Sequence, residues 1–258
     1  MLRGTRHDDT IILQDRSQTV RALAGDDFVQ GGSGHDVLYG DAGNDILVGN
    51  GDDVVRGGRG DDHVSTEYGE AYGSWGNDTV QSSLFAAGGD GDDYVFGTGQ
   101  LYGDDGPGGN PLATGNDWLS CPLSPATYTQ ATGGGGADLF QTTSAADGVG
   151  AVLEITDFQH GEDQLLIVSL DPGDASSGSL ATFQKLDANH NGVLEWSDCL
   201  GADGDPNTPD GSAVYSDGQT VWIGLHATVA GGTFNDAEDW IIVRNAGGQL
   251  AASDFILT

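Results

Sequence analysis

Large apolar residues in the first 141 positions stand mostly alone among glycine, polar and acidic neighbours. They recur about every nine residues, as at Val29, Leu38, Leu47, Val55 and Val64. A spacing of nine matches neither the 3.6-residue period of an amphipathic helix nor the strict alternation of a half-buried strand. It predicts one short strand per unit, with one inward side chain that a single unit cannot bury, so neighbouring units must stack. After residue 141 the spacing is lost. Residues 152–168 (VLEITDFQHGEDQLLIV) alternate and read as strand, turn and strand. Leu180, Phe183 and Leu186 fall on one face of a short helix within SLATFQKL. AVYSD, TVWIGL, DWIIVRN and DFILT between 213 and 258 read as strands, with Trp222 and Trp240 expected in their core. The longest apolar runs are of the length of Leu165-Leu166-Ile167-Val168, far short of a transmembrane helix. The first residues, MLRGTRHDDTIILQ, lack the apolar stretch of a secretory signal peptide.

The residues between the apolar positions repeat as well. Residues 31–39 are GGSGHDVLY and 40–48 are GDAGNDILV; 57–65, 73–81, 88–96 and 133–141 follow as GGRGDDHVS, GSWGNDTVQ, GGDGDDYVF and GGGGADLFQ. All fit G-G-x-G-x-D-x-U-x, where U is large and apolar. The glycines permit a tight turn with exposed carbonyls, and the Asp adds a carboxylate to that ring of oxygens. An all-oxygen set of this kind suits a hard cation, Ca²⁺ above Mg²⁺ because the geometry is irregular.

These repeats resemble the RTX, or haemolysin-type, calcium-binding nonapeptide family. The resemblance implies a mainly β fold, a right-handed parallel β-roll with two nonapeptides per turn. It implies Ca²⁺ between turns stacked on one side, bridged by successive Asp residues and by turn carbonyls such as those of Gly31, Gly32, Ser33 and Gly34. Laid out in alternate repeats, one side carries Asp9, Asp27, Asp45, Asp62, Asp78, Asp93, Asp117 and Asp138. The other side offers Gln18, Asp36 and Asp53, and then the motif disappears. The expectation is an asymmetric roll, with one long calcium ladder and a second side that holds calcium only near residues 31–56. Repeats 4–12 and 22–30 lack glycines of the motif, and PGGNPLAT at 107–114 is expected to loop out near Asp117. His7, His35 and His63 take variable positions and read as exposed turn residues.

The chain divides into a roll, 1–141, and a C-terminal capping region, 142–258. Within the latter, DANHNGVLEWSD at 187–198 resembles an EF-hand loop. The match assigns Asp187, Asn189, Asn191, the Val193 carbonyl, Glu195 and Asp198 as calcium ligands. Asp203, Asp205, Asn207 and Asp210 form an oxygen-rich loop open to either a further calcium site or an unliganded turn. Cys121 and Cys199 fit one disulfide or two thiols equally. The ending, SDFILT, is similar to the uncleaved type I secretion signal of RTX proteins, and equally reads as a last strand.

Charge sharpens the reading. Forty acidic residues face 8 basic ones, a net charge of −32, and no Lys or Arg lies between Arg59 and Lys185. Nucleic acid and anionic membrane surfaces are excluded as partners by repulsion. A compact fold requires counter-charge, which several Ca²⁺ would supply. No H-E-x-x-H and no G-x-S-x-G occurs, so no enzyme is expected. The expected function is a secreted, extracellular bacterial calcium-binding protein that passes type I secretion machinery unfolded and folds on calcium. The alternative is a calcium-dependent adhesion, matrix or surface-associated module with an extracellular partner, or the C-terminal RTX part of a larger secreted protein.

Overall fold

The computed structural model describes residues 1–107, 109, 110, 112–123, 126–144, 151–169, 192–194, 214–224 and 240–256. The architecture is a parallel β-solenoid of about eight turns, with almost no helix among the described residues. Two compact units emerge, Met1–Ser120 with Thr132–Asp138, and Cys121–Ala131 with Leu139–Thr258.

In the first unit the chain runs through β1 (Leu2–Arg3), β2 (Thr10–Ile12), β3 (Thr19–Ala24), β4 (Phe28–Gln30) and β5 (Val37–Ala42). It continues through β6 (Ile46–Val48), β7 (Val54–Arg59), β8 (His63–Ser65), β9 (Glu70–Trp75) and β10 (Thr79–Ser82). It then adds β11 (Phe85–Asp90), β12 (Tyr94–Gly97), β13 (Gln100–Tyr102) and β14 (Trp118–Pro122). Odd-numbered strands pair in parallel with odd, and even with even, so every turn contributes one strand to each of two sheets.

Register turns the nine-residue spacing into a core. Ile11, Val29, Leu47, Val64, Val80, Val95 and Leu119 stand in one file across the even sheet. Val20, Leu38, Val55, Ala71, Ala86 and Leu101 form the file across the odd sheet. Apart from Ile11, at the end of its file, all are fully buried. Burying each Val or Leu is worth roughly 1.5–3 kcal/mol, yet every rung gains it only from its neighbours. The insertion forms its own turn: the Asn110 N–H reaches Asp105 Oδ2 at 2.8 Å, and Leu112 is exposed.

The second unit contains β15 (Tyr128–Thr132), β16 (Leu139–Ser144), β17 (Val152–Ile155), β18 (Gln164–Ser169) and β19 (Val193–Leu194). β20 (Val214–Ser216), β21 (Val221–Gly224), β22 (Trp240–Val243) and β23 (Leu250–Ala251) complete it. β17 pairs in parallel with β15 and with β22, whereas β21 runs antiparallel to both β22 and β20. β16 and β18 pair in parallel, and Phe140 meets Phe158 at 6.2 Å in the core. Two expectations are corrected. Val221, Ile223, Ile241 and Val243 fill the core, while Trp222 and Trp240 are only half-buried on the alternate face. Of DFILT, the described Asp254, Phe255 and Ile256 form no strand: Ala252–Asp254 is a short 3-10 turn, followed by a single bridge from Phe255 to Leu165, and Leu257 and Thr258 lie outside the described residues.

Candidate metal centre

Each Asp of the long column reaches the next turn. The Asp9 N–H donates to Asp27 Oδ1 (2.7 Å), Asp27 N–H to Asp45 Oδ1 (2.8 Å), and Asp45 N–H to Asp62 Oδ1 (2.7 Å). The chain of bonds continues through Asp78, Asp93, Asp117 and Asp138 at 2.6–2.9 Å. From Asp27 onward these side chains are buried, at most 3% exposed. Asp9, at the end of the column, is half-buried and takes the Thr5 N–H on Oδ2 at 2.5 Å.

From Asp27 to Asp117 one oxygen of each carboxylate is thereby used, and the other is not. Oδ2 of Asp27, Asp45, Asp62, Asp78, Asp93 and Asp117 is buried without a hydrogen-bond partner. Its surroundings explain the first glycine of the motif. A Cβ at Gly40, Gly57, Gly73, Gly88 or Gly103 would overlap Oδ2 of Asp45, Asp62, Asp78, Asp93 or Asp117 respectively. The same Cβ at Gly73 would stand 2.5 Å from the Gly88 carbonyl oxygen, and at Gly103 2.5 Å from that of Gly133. Carboxylate and carbonyl oxygens of adjacent turns thus converge on a space that only glycine leaves open. Ala22 fills that position beside Asp27.

Electrostatics follows from the burial. Loss of solvent pushes the Asp45 carboxyl up to about 6, Asp78 to about 7, Asp62 and Asp117 to about 8, and Asp93 to about 9, despite the opposing hydrogen bonds from the backbone. Asp27 is raised for the same reason. A buried carboxylate with a spare oxygen is costly. A hard divalent cation removes that cost and accepts the oxygen donors present. The residues fit Ca²⁺ on those grounds.

The short side is built differently. Asp36 Oδ2 accepts the Gly32 N–H (2.8 Å), Asp53 Oδ1 accepts Asp36 N–H (2.6 Å), and Asp53 Oδ2 accepts Asn50 N–H (2.7 Å). The Asn50 amide donates to the Gly31 carbonyl at 2.7 Å. Gly31 and Gly32 are buried and Ser33 is exposed. Desolvation raises the Asp53 carboxyl too. Further along, hydroxyls replace the motif: Thr66 Oγ1 donates to Gly51 O (2.9 Å) and Ser82 Oγ to Gly69 O (2.7 Å). His35 and Asp52 are exposed, and their ligand atoms lie within 4.8 Å of each other and of Asp53.

A second ladder was not read from the sequence. At the residue before each column Asp, a short polar side chain accepts the N–H of its counterpart one turn later. Asp26 N–H meets Asp8 Oδ1, Asn44 N–H meets Asp26, and Asp61 N–H meets Asn44, at 2.8–3.0 Å. Asn77, Asp92, Asn116 and Ala137 continue it at 2.8–3.1 Å. This outer ladder points the opposite way along the stack from the inner one. The repeated Asp or Asn at this place was the available signal.

Of the EF-hand-like loop, Gly192 takes a left-handed φ of +83° and Val193 pairs with Ala251 in β23. Asp187, Asn189, Asn191, Glu195 and Asp198 lie outside the described residues, as do the helix expected before them and Asp203, Asp205, Asn207 and Asp210. Cys121 is buried in the core, with its thiol pushed up to about 12, and Cys199 lies outside the described residues.

A parallel solenoid strung on an internal column of half-used carboxylates is a repeat fold with a candidate metal site between its turns. Residues 14–47 and 48–69 match the family model of the RTX calcium-binding nonapeptide repeat, in four copies, so the N-terminal region carries calcium-binding repeats of that type. Asp78, Asp93, Asp117 and Asp138 fall beyond the matched span and continue its geometry. No curated protein matches the chain.

Proposed function

We propose that the chain is a non-enzymatic calcium-binding protein whose roll folds on several Ca²⁺ ions after export by a bacterial type I system. The observation that carries this reading is the file of buried Oδ2 atoms from Asp27 to Asp117, each lacking a protein donor. The eight aspartates of the column leave seven gaps between turns, which would take up to seven Ca²⁺ held by flanking carboxylates and turn carbonyls; the gap between Asp9 and Asp27, whose repeats lack glycines of the motif, fits least well. The EF-hand-like loop at 187–198 is proposed as a further site. Metal that binds only the folded chain draws the folding equilibrium with it. Sites of this extracellular kind have Kd values of roughly 10⁻⁴–10⁻³ M, so the chain would stay unfolded where calcium is scarce and fold outside the cell. Export and location rest on the resemblance of the repeats and of the last residues to secreted RTX proteins. A calcium titration followed by far-UV circular dichroism is the test. β structure should rise with calcium, and full β structure in excess chelator would overturn the reading.

A further inference from the structure

The outer face of the odd sheet gathers half of the chain's few cations. Of 8 Lys and Arg residues, Arg3, Arg21, Arg56 and Arg59 lie on its strands. Register aligns Arg3, Arg21, Tyr39, Arg56, Tyr72 and, after Ala87, Tyr102 in one row across the strands. Inward neighbours such as Leu38, Val55 and Ala71 are fully buried, so the row faces outward. The Arg56 guanidinium stands 3.9 Å from the Tyr72 ring centre, and Arg59 stands 5.6 Å from that of Trp75 in the adjacent row. Phe85 bridges Tyr72 and Tyr102 with ring separations of 5.1 and 5.4 Å.

Arg21 is engaged by Asp41, and Glu70 takes the Tyr72 hydroxyl at 2.9 Å. Arg56 and Arg59, in contrast, have no carboxylate partner among the described residues. Arg3, Arg6 and Arg16 lack one as well, but among the described residues only Arg56 and Arg59 combine such an open guanidinium with an aromatic ring beneath it. Trp75, beside Arg59, is 53% exposed. Strands about 4.8 Å apart make this a band of rings and guanidiniums more than 20 Å long, across which a linear polymer can lie.

We propose that this face binds a uronate-bearing polysaccharide. Flat rings stack on the apolar faces of sugars, and an Arg fork matches a carboxylate in a bidentate way. Two unpaired guanidiniums suit a polymer whose carboxylates are sparse. A polynucleotide, with a phosphate at every residue, would meet the strongly acidic roll at many points and be repelled. The site is separate from the carboxylate column and stands whether or not each gap of that column holds calcium.

The experiment is calorimetric titration of the full chain with an oligosaccharide that carries one glucuronate per four sugars, at one fixed free-calcium level. Arms with a neutral glucan oligomer and with polydeoxythymidylate run in parallel. The glucuronate-bearing oligosaccharide should bind, and R56Q/R59Q should weaken it by about tenfold or more, as expected for lost charge-assisted hydrogen bonds. W75A should weaken it too, whereas R21Q, whose guanidinium already serves Asp41, should leave it within a few-fold. Circular dichroism and bound-calcium content should stay unchanged in all variants, which separates loss of this face from loss of the roll. Equal binding of the neutral glucan, preference for the polynucleotide, or no binding at all would overturn the proposal.

Discussion

The backbone N–H of Asp62 donates to Oδ1 of Asp78 in the next turn at 2.7 Å, while Oδ2 of the same Asp78 is buried with no donor. One carboxylate therefore holds two turns in register and leaves a charge for something else to meet. The two tasks can be separated by mutation. Asp78→Asn keeps the acceptor oxygen but not the charge. Bound calcium should fall by one or two ions per chain, and the calcium midpoint for folding should rise several-fold. Asp78→Ala loses the bond as well and should cost a further ~1–3 kcal/mol, because the Asp62 N–H is left unsatisfied in a buried place. Calcium content by atomic emission, with denaturant titration at saturating calcium, reads both. Equal calcium content in wild type and Asp78→Asn would contradict the assignment.

Protons should substitute partly for calcium. The carboxyls of Asp45, Asp62, Asp78, Asp93 and Asp117 are pushed up to between about 6 and about 9 in the folded chain, against 3.8 when solvated. A raised folded value means the unfolded chain loses its protons first, so stability is present at pH 4 and below and drains away as pH rises to about 9. In chelator, acidification from pH 8 to pH 4 should therefore raise β content. In calcium the trend reverses, since protons compete for the same oxygens. A metal-free chain equally unfolded at pH 4 and pH 8 would count against the burial that drives both effects.

Gly73 and Gly51 make a matched pair. A Cβ at Gly73 would collide with the Asp78 carboxylate and crowd the Gly88 carbonyl, whereas a Cβ at Gly51 meets nothing within 4 Å. Gly51→Ala should cost only the strain of its left-handed φ of +89°, about 1 kcal/mol. Gly73→Ala should abolish one rung of the column and cost several times more, with loss of bound calcium. Thermal melts in calcium compare them. Similar costs would mean that turn conformation, and not the space before the carboxylate, explains the motif.

The roll was legible because its period is written in single residues. One Asp and one apolar residue per unit suffice to lay out the column from Asp9 to Asp138 and the file from Ile11 to Leu119. The outer ladder was hidden by treating the residue before each Asp as variable, although Asp8, Asp26, Asn44, Asp61, Asn77, Asp92 and Asn116 share one short acceptor chemistry. Thr66 and Ser82 gave no signal, since each stands where the motif has its first glycine, in file with Gly31 and Gly49, inside a segment with no period. In the second unit, TVWIGL and DWIIVRN carry apolar side chains on both faces. Alternation could not decide whether the Trp or the Val and Ile side chains turn inward. The repeat period likewise could not show the Arg and aromatic rows, which exist only once strands 15 to 18 residues apart are set side by side.

Asn50 decides how the short side is held. Its repeat is one residue short, and its N–H and amide serve Asp53 Oδ2 and the Gly31 carbonyl, both at 2.7 Å. With Asp36 Oδ2 on the Gly32 N–H, the oxygens that would face a cation already have protein donors. Replacing the amide by a third carboxylate should reverse this. Asn50→Asp removes the bond to Gly31 and sets three carboxylates around one turn, so the metal-free chain should lose about 1–3 kcal/mol through repulsion and an unmet carbonyl. Bound calcium should rise by one ion per chain, and the calcium dependence of folding should steepen. Asn50→Ser removes the amide without adding charge and should destabilise without changing the calcium count. Calcium content measured side by side for the three proteins reads the outcome. A wild-type chain that already carries the extra ion, with no gain in Asn50→Asp, would show that the amide yields to metal and that both sides of the first turns bind it.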